Sequence, residues 1–565
     1  MKKGLNTFIC LGALFMTTMS FAQGDSLEMD LTIVGDLDLI LRDAKKLQTS
    51  PELKESLVEL PTISYTLIPN KQQVDIITKP IKPAKVTVEP PISKLYKGYI
   101  RGGFGVYTTP LVDLYYMDDR SHDGSWGVQY HHLSSAGETA LADSIPDSFS
   151  NNSATIWGRK YLKKHSLEGA LDYDRNVVNY FGFDPQLYWD TPLDNLEQRF
   201  TNVKGQLEMK SYYRDSSKIN FASNIAFRNF RDAYEGVENN VDFNLHGRKY
   251  VKDELYSVDL GINYNDFQFN RLSDGDKLNQ DNVLVSIQPM ATTRKGNFLV
   301  KFGMGLWLDT RGDRPVHFYP LAEAAYSLLD DLFIPYAGVR GNLEQNTYQS
   351  ITDFNPFVLT DVELENTNKR LQLYGGIRGT LSSSTSFNVN VSQTNYENFL
   401  YFVNDSAFSN GNKFAALYDD LKVFRLHGEV SVNTKENFRF QLSADYNLYN
   451  PDFEASAWYQ PNTRFTLTTG YNLQDKLMVN LDLFSEGKRP VKSLVQAREG
   501  TLENDGSYTI FLKAYLDANL SIEYRYTKRL SGFVRFNNFL ASRYQRWNQY
   551  NIQRFNAMMG ATYSF

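Results

Sequence analysis

Cysteine is almost missing from this chain of 565 residues: the single thiol, Cys10, lies in its first segment. A disulfide framework and a thiolate metal site are therefore excluded. Proline is scarce, at 19 residues, and seven of these (Pro51, Pro61, Pro69, Pro80, Pro83, Pro90 and Pro91) fall early. Beyond residue 22 there is no run of about eighteen apolar residues, so a helical membrane span is excluded. The chain also lacks the helical periodicity of a soluble enzyme of this length. A Gly-x-Ser-x-Gly elbow, a P-loop and a His-Glu-x-x-His pair are all absent. The 7 histidines are scattered, and only His131 and His132 adjoin. Neighbours along a strand point to opposite faces, so this pair cannot share one metal. The chain reads as a non-enzyme without a cofactor. Its formal charge of −6, which becomes −8 without Lys2 and Lys3, argues against a nucleic-acid partner.

What is abundant is aromatic: 36 Tyr and 37 Phe lift the aromatic share to 14%. The chain opens like a secretory leader. Lys2 and Lys3 precede an apolar run over 8–19, and Ser20-Phe21-Ala22 stands before Gln23 like a cleavage site. Residues 1–22 are therefore expected to be a signal peptide. Residues 23–93 are expected to be a proline-rich periplasmic extension, with a helix near 36–47 and then an extended run.

From residue 94 the pattern has a period of two almost without pause. Phe438, Phe440, Leu442, Ala444, Tyr446 and Leu448 alternate with Arg439, Gln441, Ser443, Asp445, Asn447 and Tyr449. Leu516, Ala518, Leu520, Ile522 and Tyr524 alternate in the same way with Asp517, Asn519, Ser521, Glu523 and Arg525. Short polar turns are expected near Lys163-Lys164, Lys252-Asp253, Arg294-Lys295, Asp475-Lys476 and Thr527-Lys528. Longer connections fall near 136–151, 181–198, 347–368, 401–413 and 488–507. Tight turns at one rim and long loops at the other predict an all-β fold, a transmembrane antiparallel barrel of about 22 strands over residues 94–565. Its expected site is the cell outer membrane of a Gram-negative bacterium, in contact with outer-membrane lipid and lipopolysaccharide.

The polar register supplies the candidate lumen lining: Arg248, Arg378, Arg425, Glu429, Arg439, Asp445, Asp482, Glu523, Arg525 and Arg535. Two readings stay open: a selectivity lining for a water-filled passage, and a braced interior that only holds the wall. Both signs are mixed, so neither anions nor cations are singled out. His246 and His427 fall on the same register. The loop aromatics Tyr188, Trp189, Phe453, Trp458, Tyr544 and Trp547 are expected in an upper aromatic girdle, the alternative being a stacking surface for sugars or a partner.

The last strand alternates Phe555, Ala557, Met559, Ala561, Tyr563 and Phe565 with polar or small residues. It resembles the terminal strand of outer-membrane barrels, which implies that Tyr563 and Phe565 form a signal read by the outer-membrane assembly machinery. With Arg535-Phe536-Asn537-Asn538-Phe539, Tyr544, Trp547 and Tyr550 before it, the end resembles that of TonB-dependent receptor barrels. That resemblance covers residues 94–565, is specific only at the C-terminal end, and implies 22 strands and solute uptake. The style of Lys94-Leu95-Tyr96-Lys97-Gly98-Tyr99 and Gly102-Gly103-Phe104-Gly105 resembles outer-membrane proteins of Bacteroidota. The family also implies an N-terminal plug, yet only roughly seventy residues precede the barrel, so the plug is expected to be lacking. A match to a TonB box falls on Leu31, Thr32, Ile33 and Val34. Solute passage or uptake is the first functional expectation, with residues 23–93 or the connection 347–368 as a substitute gate. The alternative is a structural or assembly subunit that binds an outer-membrane or periplasmic protein through its extension or outer loops.

Overall fold

The computed structural model describes residues 96–118, 121–137, 145–183, 196–434, 437–493, 500–503 and 506–565. The expected leader and extension, including Leu31, Thr32, Ile33 and Val34, lie outside these residues, as do Tyr188 and Trp189.

A strand whose alternate side chains differ in polarity can satisfy water on one face and lipid on the other. Strand pairing carries that difference across the wall. Leu426 stands opposite Tyr446 and Phe424 opposite Leu448, whereas His427 faces Asp445 and Arg425 faces Asn447. One register is thus apolar and bare: Ile156, Leu171, Leu207, Phe302 and Leu373 are each more than half exposed. Such a surface in water would drive association. As the outer belt of a barrel it meets hydrocarbon instead.

Twenty-two antiparallel strands close on themselves. The first, Gly98–Gly105, pairs with the last, Asn556–Ser564, with Tyr99 opposite Ser564 and Gly105 opposite Met558. The Phe565 carbonyl accepts from the amides of Lys97 and Gly98, both at 3.0 Å, and its amide donates to the Gly98 carbonyl at 2.9 Å. A Cβ on Gly98 would lie 2.2 Å from the tip of the Phe565 ring, so a larger residue here would push that terminal ring aside. A closed barrel of this size with an apolar outer face is a protein of the Gram-negative outer membrane.

The two rims differ. At the periplasmic rim the connections 252–253, 296–297 and 474–476 are tight, with Lys252, Gly296, Gln474 and Asp475 at φ of 57°, 57°, 51° and 56°. The turn expected at Arg294-Lys295 is moved. The strand Lys277–Lys295 runs through both residues and the reversal falls on Gly296, whose positive φ costs a glycine little. At the outer rim 345–366, 405–413, 452–462, 487–514 and 538–555 are long, but 106–108 and 232–236 are short, so the expected sorting by length is uneven. Strands Thr385–Asn404 and Phe414–Thr434 have 20 and 21 residues. A tilted membrane crossing needs about nine to eleven. The surplus stands above the membrane as an extended outer wall. The all-β expectation meets one exception among the described residues, a short helix at Tyr348–Phe354 in an outer connection.

Candidate functional site

That helix belongs to the structure closing the outer mouth. Thr347 starts it: its hydroxyl accepts from the Ser350 amide at 3.1 Å, and the Ser350 hydroxyl accepts from the Thr347 amide at 2.9 Å. This reciprocal pair satisfies donors that a helix start leaves open. Asn355 ends the helix, and Pro356 prevents its continuation. The first turn rests on a carboxylate from the wall. Glu238, fully buried, accepts from the Tyr348 amide at 2.5 Å and from an Arg228 guanidinium nitrogen at 3.1 Å. A buried charge is tolerable when paired and hydrogen-bonded in this way.

The remainder of 345–366 is fastened strand by strand around the mouth. The Tyr348 hydroxyl donates to Asp232 at 2.7 Å, and the Thr360 hydroxyl donates to the same oxygen. The other Asp232 oxygen accepts from the amides of Tyr234 and Gly236, at 2.9 and 2.6 Å, which shapes the 232–236 turn to receive the connection. The Gln280 amide donates to the Val362 carbonyl at 2.9 Å and its oxygen accepts from the Leu364 amide at 3.0 Å. Asn366 donates to Asp309 at 2.8 Å. Leu359 donates to the Phe414 carbonyl and Phe414 to the Phe357 carbonyl, both at 2.9 Å.

Opposite walls also meet directly. Tyr180 follows the fifth strand, His165–Asn179, while Asn412 precedes the sixteenth, Phe414–Thr434. Eleven places apart in a ring of 22, these strands stand on opposite sides of the barrel. Yet Asn412 donates to the Tyr180 carbonyl at 2.7 Å, and the Tyr550 hydroxyl donates to the Asn412 carbonyl at 2.5 Å. Phe357 stacks on Tyr550 with ring centres 3.6 Å apart, and Trp547 packs among Phe402, Phe414 and Tyr459 at 5.3, 5.4 and 4.8 Å. The connections therefore span the diameter of the mouth with an apolar plate.

Electrostatics follow burial. Lys413 lies over the rings of Tyr180 and Tyr234, 4.5 and 4.1 Å from their centres. Loss of water pushes its ammonium down to about 8, against the opposing pull of Asp232 and Asp405. Burial likewise holds the phenols of Tyr180, Tyr348 and Tyr550 well above their ordinary value. Against the plate lies a cavity of about 710 Å³, bounded by Phe354 and Phe357 of the connection and by Asn151, Phe484, Asn519 and Asn537 of the wall. Among the described residues no group of three or more His, Cys, Asp or Glu is arranged to hold a metal ion.

The candidate residues read from the sequence are only partly brought together. Arg425 reaches Asp445 at 2.6 Å, His427 reaches Asp445 at 2.8 Å and Glu429 at 3.7 Å, and Gln441 donates to Glu429 at 3.3 Å. Arg378 pairs with Glu323 at 3.4 Å and lies over the Tyr336 ring. Arg535 lies over Phe533, and Arg525 reaches the Met478 sulfur at 3.9 Å. Arg439 borders a small depression with Asn472 and Asn480. Arg248 stands across from Asn220 and Ser257, Asp482 across from Thr468 and Asn519, and Glu523 across from Met478 and Phe533. These form several separate clusters, not one constellation. His131 and His132 do part: His131 reaches Asp113 at 2.6 Å and His132 reaches Asn152 at 2.7 Å.

The girdle expected of the loop aromatics is corrected. Trp458, Tyr544 and Trp547 are 1%, 6% and 4% exposed and turn into the closed mouth, while Phe453 is 87% exposed. The connections fold inward over the barrel, so their rings bury against one another and not at the membrane interface. The residues that fasten the mouth, Tyr180, Asp232, Glu238, Gln280 and Asn412, carried no local signal. Their partners are far away in the chain.

No family model matches the chain, and no curated protein matches it in sequence. Solved structures do. A ferripyoverdine receptor of the outer membrane of Pseudomonas aeruginosa is similar at TM-score 0.61 and 14% identity, over 84% of this chain and 72% of that one. An iron transporter from Neisseria meningitidis is similar at 0.63 and 9%, over 84% and 82%. A siderophore receptor from Acinetobacter baumannii is similar at 0.62 and 11%, over 84% and 81%. At these identities what is shared is the fold: this chain is built as a 22-stranded outer-membrane barrel.

Proposed function

We propose that this protein takes up a solute across the outer membrane and that residues 345–366 keep its outer mouth shut between passages. The observation carrying this reading is the fastening of that connection to walls on opposite sides of the barrel. A barrel serving only as an anchor has no use for a plate across its mouth. The similarity to receptors for ferric siderophores supports uptake as the activity class, and the 710 Å³ cavity beside the plate is large enough for a small polar solute. In this reading the roughly seventy residues ahead of the barrel do not form a plug, and closure falls to the outer connection. Arg425, Glu429 and Asp445, with His427, make a polar stretch of the path the solute follows.

The test is single-channel conductance in planar bilayers. The full chain is expected to be mostly silent. A variant in which 348–364 is replaced by a short Gly/Ser link, and which remains heat-modifiable, is expected to pass steady current. A second variant also lacking residues 23–93 separates the two candidate gates. A folded barrel silent in all three forms sinks the reading and turns the search to proteins that co-purify with it.

A further inference from the structure

The membrane-facing wall holds a feature that solute passage does not use. Strands Phe149–Tyr161, His165–Asn179, Glu197–Ser211 and Asn220–Arg231 present Ile156, Leu171, Leu207, Ile225 and Phe227 to lipid, each about half exposed. Between them the wall is recessed into an apolar groove of about 710 Å³. The recess arises where Gly158 stands opposite Gly169 and where Gly205 stands opposite Leu171. Side-chain atoms built at Gly158 or Gly205 would meet nothing within 4 Å, so no neighbouring residue fills the space.

Position and charge together indicate the occupant. Gly158 lies three residues before the periplasmic end of its strand and Gly169 four residues after the start of the next, so the groove belongs to the periplasmic half of the wall. Toward that rim the same register continues into Lys160, opposite the exposed Leu167 and roughly 7 Å further along the strand. The turn beyond contains Lys163 and Lys164. Lys164 converges with Lys218 on the Tyr213 ring, their ammonium nitrogens 5.9 and 5.4 Å from its centre. None of these four lysines forms an ion pair among the described residues; Asp215 in the neighbouring connection, bonded by Ser217 at 2.7 Å, attracts Lys218 only from beyond ion-pair distance. An apolar slot that runs toward unpaired ammoniums at headgroup depth has the polarity profile of an acyl chain ending in a phosphate.

We propose that this groove is a binding site for an anionic glycerophospholipid of the periplasmic leaflet, with an acyl chain in the recess and its phosphate held by Lys160, Lys163, Lys164 and Lys218. The proposal is independent of the transport reading. Each basic side chain close to an anionic headgroup is worth a preference of about five-fold. The full chain, reconstituted in vesicles of equal phosphatidylglycerol and phosphatidylethanolamine and extracted into mild detergent, is analysed by native mass spectrometry for retained lipid. At least about five-fold enrichment of phosphatidylglycerol is expected. Replacing Lys160, Lys163, Lys164 and Lys218 together by Gln should return the ratio to that of the vesicle, and Gly158→Leu with Gly205→Leu should remove the retained lipid, each in protein that is still heat-modifiable. Retention in the bulk ratio by the unaltered chain overturns the site, and so does enrichment that survives either set of substitutions.

Discussion

The two rims of this barrel solve the same problem, joining neighbouring strands, by opposite means. At the periplasmic rim a reversal such as 474–476 is held by atoms a few positions apart. Asn472, for instance, donates to Asp475 at 2.7 Å and accepts from its amide at 3.0 Å. At the outer rim the decisive bonds join residues more than a hundred positions apart, such as Asn412 and Tyr180 or Thr360 and Asp232. Local turns are independent of one another, so losing one leaves the others intact. A plate across the mouth is a single packed body, so losing one member loosens all of it.

Truncating the plate at its centre should produce the largest contrast. Trp547→Ala removes a ring packed against Phe402, Phe414 and Tyr459 and is expected to cost the closed mouth ~3–5 kcal/mol. Limited proteolysis should then cut the outer connections faster while heat-modifiability of the barrel is kept. Equal protection of the two proteins would mean that the plate is not cooperative. Next comes Glu238→Ala, which strands the Tyr348 amide and Arg228 without their acceptor. A loss of ~1–3 kcal/mol should appear as faster amide exchange confined to 345–366.

A smaller effect depends on pH. Lys413 titrates near 8 in the closed mouth and near its ordinary, higher value once released into water. Between those values the open form holds the extra proton, so closure should strengthen as pH rises from about 8 toward 10. Exchange protection of 345–366 measured across that range should increase, and Lys413→Met should abolish the slope. At the bottom of the scale, Ser384→Ala in a periplasmic turn, where the hydroxyl meets only the neighbouring Ser382 at 3.1 Å, should change stability by less than ~0.5 kcal/mol. A larger change there would erase the distinction between the rims.

How much of this was legible in the sequence follows the same division. The strand Phe438–Pro451 announces itself because alternation is a property of adjacent residues, and 22 such strands could be counted from it. Pairing partners on the polar register could be anticipated as a class but not chosen. Nothing in the neighbourhood of Arg425 says that its partner will be Asp445, two residues from the position directly opposite on the next strand. The inward fold of 345–366 was suggested by its length alone. Trp547 reads as a girdle residue because an aromatic in a loop looks the same whether it faces lipid or another ring. The helix Tyr348–Phe354 has only seven residues, too few for a periodic signal, and depends on Glu238, which lies more than a hundred positions away.

The junction between Gly98 and Phe565 has a further consequence, for how the molecule is made. Every other strand pairing in the barrel joins neighbours in sequence, whereas this one joins the two ends of the sheet. Hairpins along the chain close over short connections, but the ring cannot shut until its last strand meets its first. Until then the growing sheet has two bare edges, each a row of unsatisfied amides and carbonyls ready to pair with any extended chain nearby. Bringing such distant ends together is entropically slow. The sheet therefore stays unsealed until its last strand pairs with its first, and how long that takes is set by this one distant pairing.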